Sequence, residues 1–179
     1  MRVRSQRVHR YEAAAVLGVV LAVVLLVAAA TLAGCSQSPV TASASAATAP
    51  DFSGTTLTGA QVSLSGYRGK TLVLNFMASW CGPCRAEAPE IDAFYRENKD
   101  KVAVLAMAVE DTENDIRALM SGNGFTFPVV PYGTNAAEAY GVTAVPTTFV
   151  IDPEGHIVQR LVGGTTAAKL SAAIDAITP

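Results

Sequence analysis

The chain has 179 residues, which at about 150 residues per domain allows one domain and a tail. Half of the residues are hydrophobic and 16% are charged, and much of the apolar excess lies before residue 35. The remaining 145 residues carry nine basic and 14 acidic side chains, so we expect a mildly acidic globular domain. No basic face typical of nucleic-acid-binding proteins is visible, and three cysteines are too few for a disulfide-scaffolded miniprotein.

Residues 1–34 have the three parts of a secretory signal. Four arginines precede an apolar stretch, Ala13–Ala33, and small residues end it. Leu32-Ala33-Gly34-Cys35 resembles the lipobox of bacterial lipoproteins, which implies cleavage before Cys35 and a lipid on its thiol. The alternative is an uncleaved signal anchor. The apolar stretch has 21 residues, and a helix of that length, at a rise of about 1.5 Å per residue, would cross a bilayer. Both interpretations hold the domain at the outer face of the cell membrane.

A tether is predicted between this segment and the domain. Residues 36–50 contain small and polar residues, no charge and no apolar periodicity, which is typical of a flexible linker. The predicted organisation is therefore a signal over residues 1–34, a tether over 35–50 and one folded domain over 51–179.

Strand-like and helix-like segments alternate along the domain. A loosely alternating pattern around Gly59 predicts a hairpin over Thr55–Leu64. Strands are expected at Thr71–Phe76, Val102–Val109, Phe125–Val130, Thr147–Ile151 and His156–Leu161. Helices are expected at Arg85–Asn98, Thr112–Met120, Asn135–Tyr140 and Thr166–Ile177. This order is typical of an α/β sandwich with a mixed sheet.

Cys81-Gly82-Pro83-Cys84 lies between a predicted buried strand and a predicted helix. Two cysteines three residues apart on the first turn of a helix can close a small disulfide. The partial positive charge of the helix N-terminus favours the Cys81 thiolate, whereas Cys84 lies further in and can attack a mixed disulfide from inside. Pro83 lacks the N–H that a first turn leaves unpaired. We therefore interpret the segment as a redox site.

Other chemistries fit these cysteines less well. A structural zinc site takes four ligands, and the predicted domain offers Cys81, Cys84 and His156. Covalent haem attachment needs a histidine where Arg85 stands, and a thiol peroxidase would need a threonine where Ala78 stands. No metal and no cofactor are expected. A copper-handling dithiol module, whose soft thiolates would bind Cu(I), and a thiol peroxidase are kept as the alternative functions.

Three separate segments carry a family resemblance: Tyr67–Lys70, Asn75–Pro89 and Gly141–Asp152. In order and spacing they resemble the strand entry, the active-site run and the cis-proline segment of the thioredoxin superfamily. The closest similarity is to its TlpA-like, cytochrome-c-maturation type of membrane-anchored thiol–disulfide oxidoreductases. The resemblance covers about residues 51–177. It implies a thioredoxin-like α/β fold, a mixed central sheet flanked by helices, with an N-terminal hairpin extension.

The resemblance also implies roles for residues near the cysteines. Pro146 would follow a cis peptide bond opposite Cys81, and the backbone of Val145 would pair with an extended substrate segment. The alternative is an ordinary trans proline that begins a strand. Trp80 would form an apolar wall beside Cys81, or it would belong to the core. Tyr132 and Tyr140 are expected to be packing residues.

Asn75 stands where thioredoxin itself has a buried Asp that assists proton transfer at the inner cysteine. Because Asn does not titrate, another group or water must serve Cys84. Glu110 and Asp111 are the candidates, since they follow the predicted strand Val102–Val109, whose carboxyl end should lie beside the cysteine helix. The alternative is that both are ordinary charges at a helix start.

The leading functional expectation is an extracytoplasmic thiol–disulfide oxidoreductase. The Gly-Pro pair between the cysteines is that of thioredoxin, a reductant at about −270 mV, whereas oxidants such as DsbA lie at about −120 mV. We therefore expect reduction of other exported proteins, with apocytochromes c among the substrates that the resemblance implies. The expected partners are protein thiols and disulfides, a membrane electron-donor or acceptor protein and the membrane itself, and no nucleic acid.

Overall fold

The computed structural model describes residues 47–177 of the chain. The predicted signal segment, its Cys35 and most of the predicted tether lie outside the described residues. Within residues 47–177, no helix combines the length and the apolar composition that a membrane span needs.

The described chain contains a large sheet, a separate hairpin and four α-helices. The strands are β1 (Ala47–Thr48), β2 (Ser53–Thr55), β3 (Gln61–Ser63), β4 (Thr71–Met77), β5 (Val102–Ala108), β6 (Val129–Val130), β7 (Thr147–Ile151) and β8 (His156–Val162). The helices are α1 (Gly82–Asn98), α2 (Glu113–Asn123), α3 (Thr134–Ala139) and α4 (Ala167–Asp175), and a 3-10 helix, Leu64–Tyr67, precedes β4.

Six strands form one mixed sheet in the order β1-β8-β7-β4-β5-β6, and β2 pairs with β3 as an antiparallel hairpin. Strands β4, β5 and β6 are parallel, whereas β7 pairs antiparallel with both β4 and β8. At the centre, Asn75 of β4 lies opposite Ala106 of β5 and Thr148 of β7. The mixed sheet flanked by helices and the N-terminal hairpin are confirmed.

Strand β4 separates two hydrophobic cores because its successive side chains point to opposite faces of the sheet. The core on one face includes Val73, Met77, Ile91 of α1, Ile116 of α2 and Leu170 of α4. The core on the other face includes Leu72, Leu74, Phe76, Tyr140 and Phe149. Asn75 alternates with Val73 and Met77, so its polar side chain points toward the face that α1 covers.

Several boundaries differ from the sequence prediction, among them those of a strand before the hairpin, a short strand and the cysteine helix. Ala47–Thr48 pairs with the start of β8, so the sheet includes residues that the sequence analysis assigned to the tether. The predicted strand Phe125–Val130 is wrong over its first four residues, because only Val129–Val130 pairs with β5. Helix α1 begins at Gly82 rather than Arg85, because Cys81 itself caps the helix.

Gly133 brings the chain before α3 into close contact with β5. Its N–H donates to the Ala108 carbonyl at 2.7 Å, and a Cβ at this position would lie 2.5 Å from Met107 Cβ and 2.9 Å from the Ala108 oxygen. We expect Gly133→Ala to lower the free energy of unfolding by about 1–3 kcal/mol, the usual range for overpacking a core. Urea denaturation of the full chain measures this difference.

Gly122→Ala is the matched control for this substitution. Gly122 lies in the exposed part of α2, and a Cβ there would meet nothing within 4 Å. The control is expected to raise the free energy of unfolding by about 0.5–1 kcal/mol, because Ala restricts the unfolded chain and favours the helix. A similar gain for Gly133→Ala would contradict the close contact with β5.

Candidate active site

The two cysteines lie where β4 passes into α1. Cys81 is the N-cap of α1, and its Sγ accepts a hydrogen bond from the Cys84 N–H at 3.2 Å. Pro83 occupies the first turn, where no intrahelical acceptor exists for a backbone N–H. Cys81 keeps 6% of its surface exposed, whereas Cys84 is fully buried behind it. The sequence-predicted pair is therefore brought together, with a small exposed surface left on Cys81 and none on Cys84.

Cys81 and Cys84 form a disulfide, and their Cα atoms lie 5.2 Å apart. When the disulfide is reduced, the Cys84 N–H and the positive end of α1 both favour a negative charge on Cys81 Sγ. Cys84 has no comparable access to solvent. The geometry therefore suits attack on an external disulfide by Cys81 and a second, internal attack by Cys84.

The Val145–Pro146 peptide bond is cis, as the resemblance implied. The Val145 carbonyl oxygen lies 3.6 Å from Cys81 Sγ, so this segment forms one wall of the site. Its position is fixed by two further hydrogen bonds, from the Gly163 N–H to the Pro146 carbonyl at 2.9 Å and from Thr147 Oγ1 to the Ala144 carbonyl at 2.8 Å.

Trp80, directly before the nucleophile, is 60% exposed and does not belong to the core. Its Nε1–H donates to the Glu110 carbonyl at 2.9 Å. The backbone of Glu110 is left-handed, with φ 49°, a region that residues other than glycine rarely adopt. No other non-glycine residue among the described residues has a positive φ. The loop between β5 and α2 therefore holds the indole against the rim of the site through a backbone carbonyl.

Asp111 fixes the same segment through its side chain. One carboxylate oxygen accepts from the Ser79 N–H at 2.5 Å, and the other accepts from Ser79 Oγ and from the Thr112 N–H, both at 2.8 Å. Asp111 thus joins the residues before Cys81 to the start of α2. Of the two acids named from the sequence, one is held by three donors, and the participation of either acid in proton transfer stays a prediction.

A third acid, Glu87, was missed by the sequence analysis. Its side chain is only 3% exposed, and its carboxylate accepts from Asn75 Nδ2 at 2.9 Å and from the Thr165 N–H at 2.8 Å. Burial raises the pKa of Glu87 above its ordinary value, and these two hydrogen bonds oppose the increase. A signal was present in the sequence, because Glu87 falls between Cys84 and Ala88 on the apolar stripe of α1.

Asn75 connects this acid to the centre of the sheet. Its Nδ2 also donates to Thr148 Oγ1 at 2.9 Å, whereas its Oδ1 is buried with no hydrogen-bond partner among the described residues. Asn75 therefore holds the Glu87 carboxylate without adding a charge of its own.

Two other expectations concern residues near the site. Tyr140 is buried, as predicted, but Tyr132 is 72% exposed and donates to Glu113 Oε2 at 3.3 Å, so the packing role predicted for Tyr132 is wrong. A tyrosine beside a proline carries no sequence signal that separates a packed ring from an exposed one.

Over residues 47–177, no three His, Cys, Asp or Glu side chains form a group that could hold a metal ion.

Comparison with known proteins identifies relatives that agree with this site. The model of the AhpC/TSA family matches residues 46–160. The chain is 34% identical over 133 residues to the thiol-disulfide oxidoreductase ResA of Bacillus thuringiensis, covering 73% of this chain and 77% of that protein. It is 37% identical over 130 residues to the thioredoxin-like protein YneN of Bacillus subtilis, covering 71% of this chain and 76% of that one.

Solved structures agree with the sequence relatives. A thiol:disulfide interchange protein of the thioredoxin family from Chlorobium tepidum superposes with a TM-score of 0.68 at 28% identity, over 73% of this chain and 95% of that one. A DsbF homologue from Corynebacterium diphtheriae gives a TM-score of 0.68 at 31% identity, over 75% and 89% of the two chains. The thioredoxin-like fold expected from the sequence is confirmed.

The raised pKa of Glu87 predicts a pH dependence of stability. Because the folded pKa lies above the unfolded one, Glu87 binds its proton more tightly in the folded protein, and this contribution is lost as pH rises through the folded pKa. Glu87→Gln removes the titration. We expect the free energy of unfolding of Glu87→Gln, relative to the parent, to increase as pH rises above about 4.3, the usual glutamate pKa.

Urea denaturation of the parent and of Glu87→Gln at a series of pH values measures this difference. Glu97→Gln is the matched control, because Glu97 is an exposed acid on the same helix. A constant difference between Glu87→Gln and the parent across the series would contradict the raised pKa.

Proposed function

Because the chain belongs to the AhpC/TSA family and is a thiol–disulfide oxidoreductase of thioredoxin-like fold, we propose that it reduces disulfides of exported proteins at the outer face of the bacterial cell membrane. The observation that carries the proposal is the cap of α1, where the Sγ of Cys81, a residue 6% exposed, accepts the Cys84 N–H, and the fully buried Cys84 lies behind it. This arrangement separates a nucleophile from a resolving thiol.

The reaction transfers two electrons from the protein to the substrate. The Cys81 thiolate attacks one sulfur of a substrate disulfide, the substrate S–S bond breaks, and the first substrate thiolate leaves and takes a proton from water. A mixed disulfide now joins Cys81 to the second substrate sulfur. The Cys84 thiolate attacks Cys81 Sγ and releases that sulfur as the second thiolate. The products are two substrate thiols and the Cys81–Cys84 disulfide.

The second attack requires Cys84 to lose its proton in a buried position. Glu87 lies three residues further along α1, a spacing that places two side chains on the same helix face. A carboxylate whose pKa is raised above its ordinary value is better matched to abstraction of a thiol proton than an ordinary one. Glu87 is therefore our first candidate for the base. Glu110 and Asp111 remain predictions for the same step.

The direction of electron flow is supported by the residues between the cysteines. Gly82-Pro83 is the pair of thioredoxin, which reduces at about −270 mV. The acid Glu87 near the site adds a negative charge, which opposes a second negative charge on sulfur and disfavours the strongly oxidising behaviour of a very stable thiolate. Apocytochromes c are among the substrates proposed, and a membrane protein must supply the electrons outside the cell.

Localisation rests on the sequence before the described residues. The arginine cluster, the apolar run Ala13–Ala33 and the lipobox-like end at Cys35 support export and attachment by a lipid on Cys35. An uncleaved anchor gives the same topology. The residues between Cys35 and residue 47 then act as the tether of the domain.

The reduction potential tests the direction of the reaction. Equilibrating the full chain with glutathione and dithiothreitol buffers should give a midpoint closer to about −270 mV than to about −120 mV. The fluorescence of Trp80, the single tryptophan of the chain, reports the neighbouring disulfide. Cys81→Ser is the control and should show no redox-dependent change. A midpoint near the oxidant value would overturn the reductase proposal.

The reactivity of the two thiols tests their roles. Limited alkylation of the reduced chain near neutral pH should label Cys81 first, because the helix end favours its thiolate and Cys84 is fully buried. Mass spectrometry identifies the labelled residue. Cys84→Ser should accumulate mixed disulfides with substrate proteins, and Cys81→Ser should not. Preferential labelling of Cys84 would reverse the assignment.

Substitution of Cys35 tests the lipid anchor. Cys35→Ala should abolish incorporation of labelled fatty acid and leave an uncleaved precursor, because the lipid and the cleavage both depend on the cysteine. Ser36→Ala, one residue beyond the expected cleavage point, is the control and should be processed normally. A parent chain that incorporates no lipid would instead support the uncleaved anchor.

A further inference from the structure

A groove of about 150 Å³ lies beside the redox site. It is lined by Trp80, Val109, Glu110 and the segment 142–145. The carbonyl oxygen of Val145, at one end of that segment, is 3.6 Å from Cys81 Sγ. A substrate residue close in sequence to the reacting cysteine therefore lies within reach of this groove.

Glu110 is the one charged residue that lines the groove, since the other lining residues are apolar side chains and Thr143. Its carboxylate has no hydrogen bond or ion pair to any residue in the range 47–177. The neighbouring Asp111 differs, because its carboxylate is held by Ser79 and Thr112. Glu110 therefore brings an acidic side chain without a partner among the described residues to the border of the groove, and the same residue also borders a second hollow with Asp111 and Tyr132.

The backbone of Glu110 is held at both ends of the residue. Its carbonyl accepts from Trp80 Nε1 at 2.9 Å, and its N–H donates to Thr134 Oγ1 at 3.3 Å. The backbone of Glu110 is thus tied to Trp80, which directly precedes Cys81. Arg85 and Asp115 line a separate hollow that shares only Trp80 with the groove.

We propose that Glu110 is a specificity-determining residue that selects substrates carrying lysine or arginine next to the reacting cysteine. The proposal rests on the reductase function above. A cation in the groove pairs with the Glu110 carboxylate while its aliphatic stem packs on Trp80 and Val145. Because the groove is open to solvent, we expect about a threefold effect for one such pair.

Disulfide-linked peptide dimers that differ only beside their cysteine test this selectivity. Lys, Gln or Glu is placed on both sides of the cysteine, and the pre-reduced full chain is mixed with each peptide while Trp80 fluorescence follows oxidation. The rate constants of the parent should fall in the order Lys, Gln, Glu, with about a tenfold span at low ionic strength. The span should nearly vanish in about 1 M salt, where the Debye length is about 3 Å.

Charge reversal identifies the residue responsible. Glu110→Lys should invert the order of the peptides, because its backbone contact with Trp80 does not depend on the side chain. Glu154→Lys is the matched control, since it makes the same charge change in the turn at the opposite end of β7 from Pro146 and should keep the parent order.

Three results would overturn the proposal, and they are distinguishable. Equal rates of the parent for all three peptides would exclude recognition of charge. A common reduction of all three rates in Glu110→Gln, with their ratios unchanged, would assign Glu110 to the proton-transfer step. A parent that oxidises with none of the peptides would overturn the reductase function itself.

Discussion

The hydrogen bond from the Cys84 N–H to Cys81 Sγ makes the reactive sulfur part of the helix that carries it. In most helices a Ser, Thr or Asp oxygen accepts this bond, and here the nucleophile does. A thiolate accepts more strongly than a disulfide sulfur, because hydrogen bonds to charged groups are the stronger ones. Reduction of the protein therefore strengthens the cap, and the cap favours the thiolate. Acting alone, this interaction would make the protein an oxidant.

A buried acid lies on the same helix, three residues beyond Cys84. Glu87 is held by the side-chain amide of Asn75 and the backbone N–H of Thr165, which are neutral donors. Neutral donors satisfy a carboxylate without cancelling its charge. A buried acid without a cationic partner among its hydrogen bonds is costly, and such groups concentrate at functional sites. A negative charge at Glu87 opposes a thiolate, whereas the positive helix end favours one.

The parts that could be predicted from the sequence are those with local signals. The cysteine spacing, the proline segment and the alternation of strands and helices all depend on neighbouring residues. The strand Ala47–Thr48 could not be predicted, because it is defined by pairing with β8 more than 100 residues away. The contacts of Asp111 with Ser79 also join residues 32 positions apart. The burial of Glu87 was missed for a different reason, since the sequence analysis sought the acid only after the predicted strand Val102–Val109.

Glu110 and Asp111 are adjacent acids with different constraints, and the left-handed turn between β5 and α2 accounts for the difference. It directs the carbonyl of Glu110 to Trp80, while the carboxylate of Asp111 reaches Ser79. Any residue that tolerates the turn could provide the carbonyl, but a carboxylate is needed to accept from both Ser79 and Thr112. The side chain at position 110 can therefore change its charge without loss of the contacts that hold the segment before Cys81. The proposed selection of substrates by the Glu110 side chain therefore does not depend on the contacts that Asp111 and the Glu110 carbonyl make with the segment before the cysteine helix.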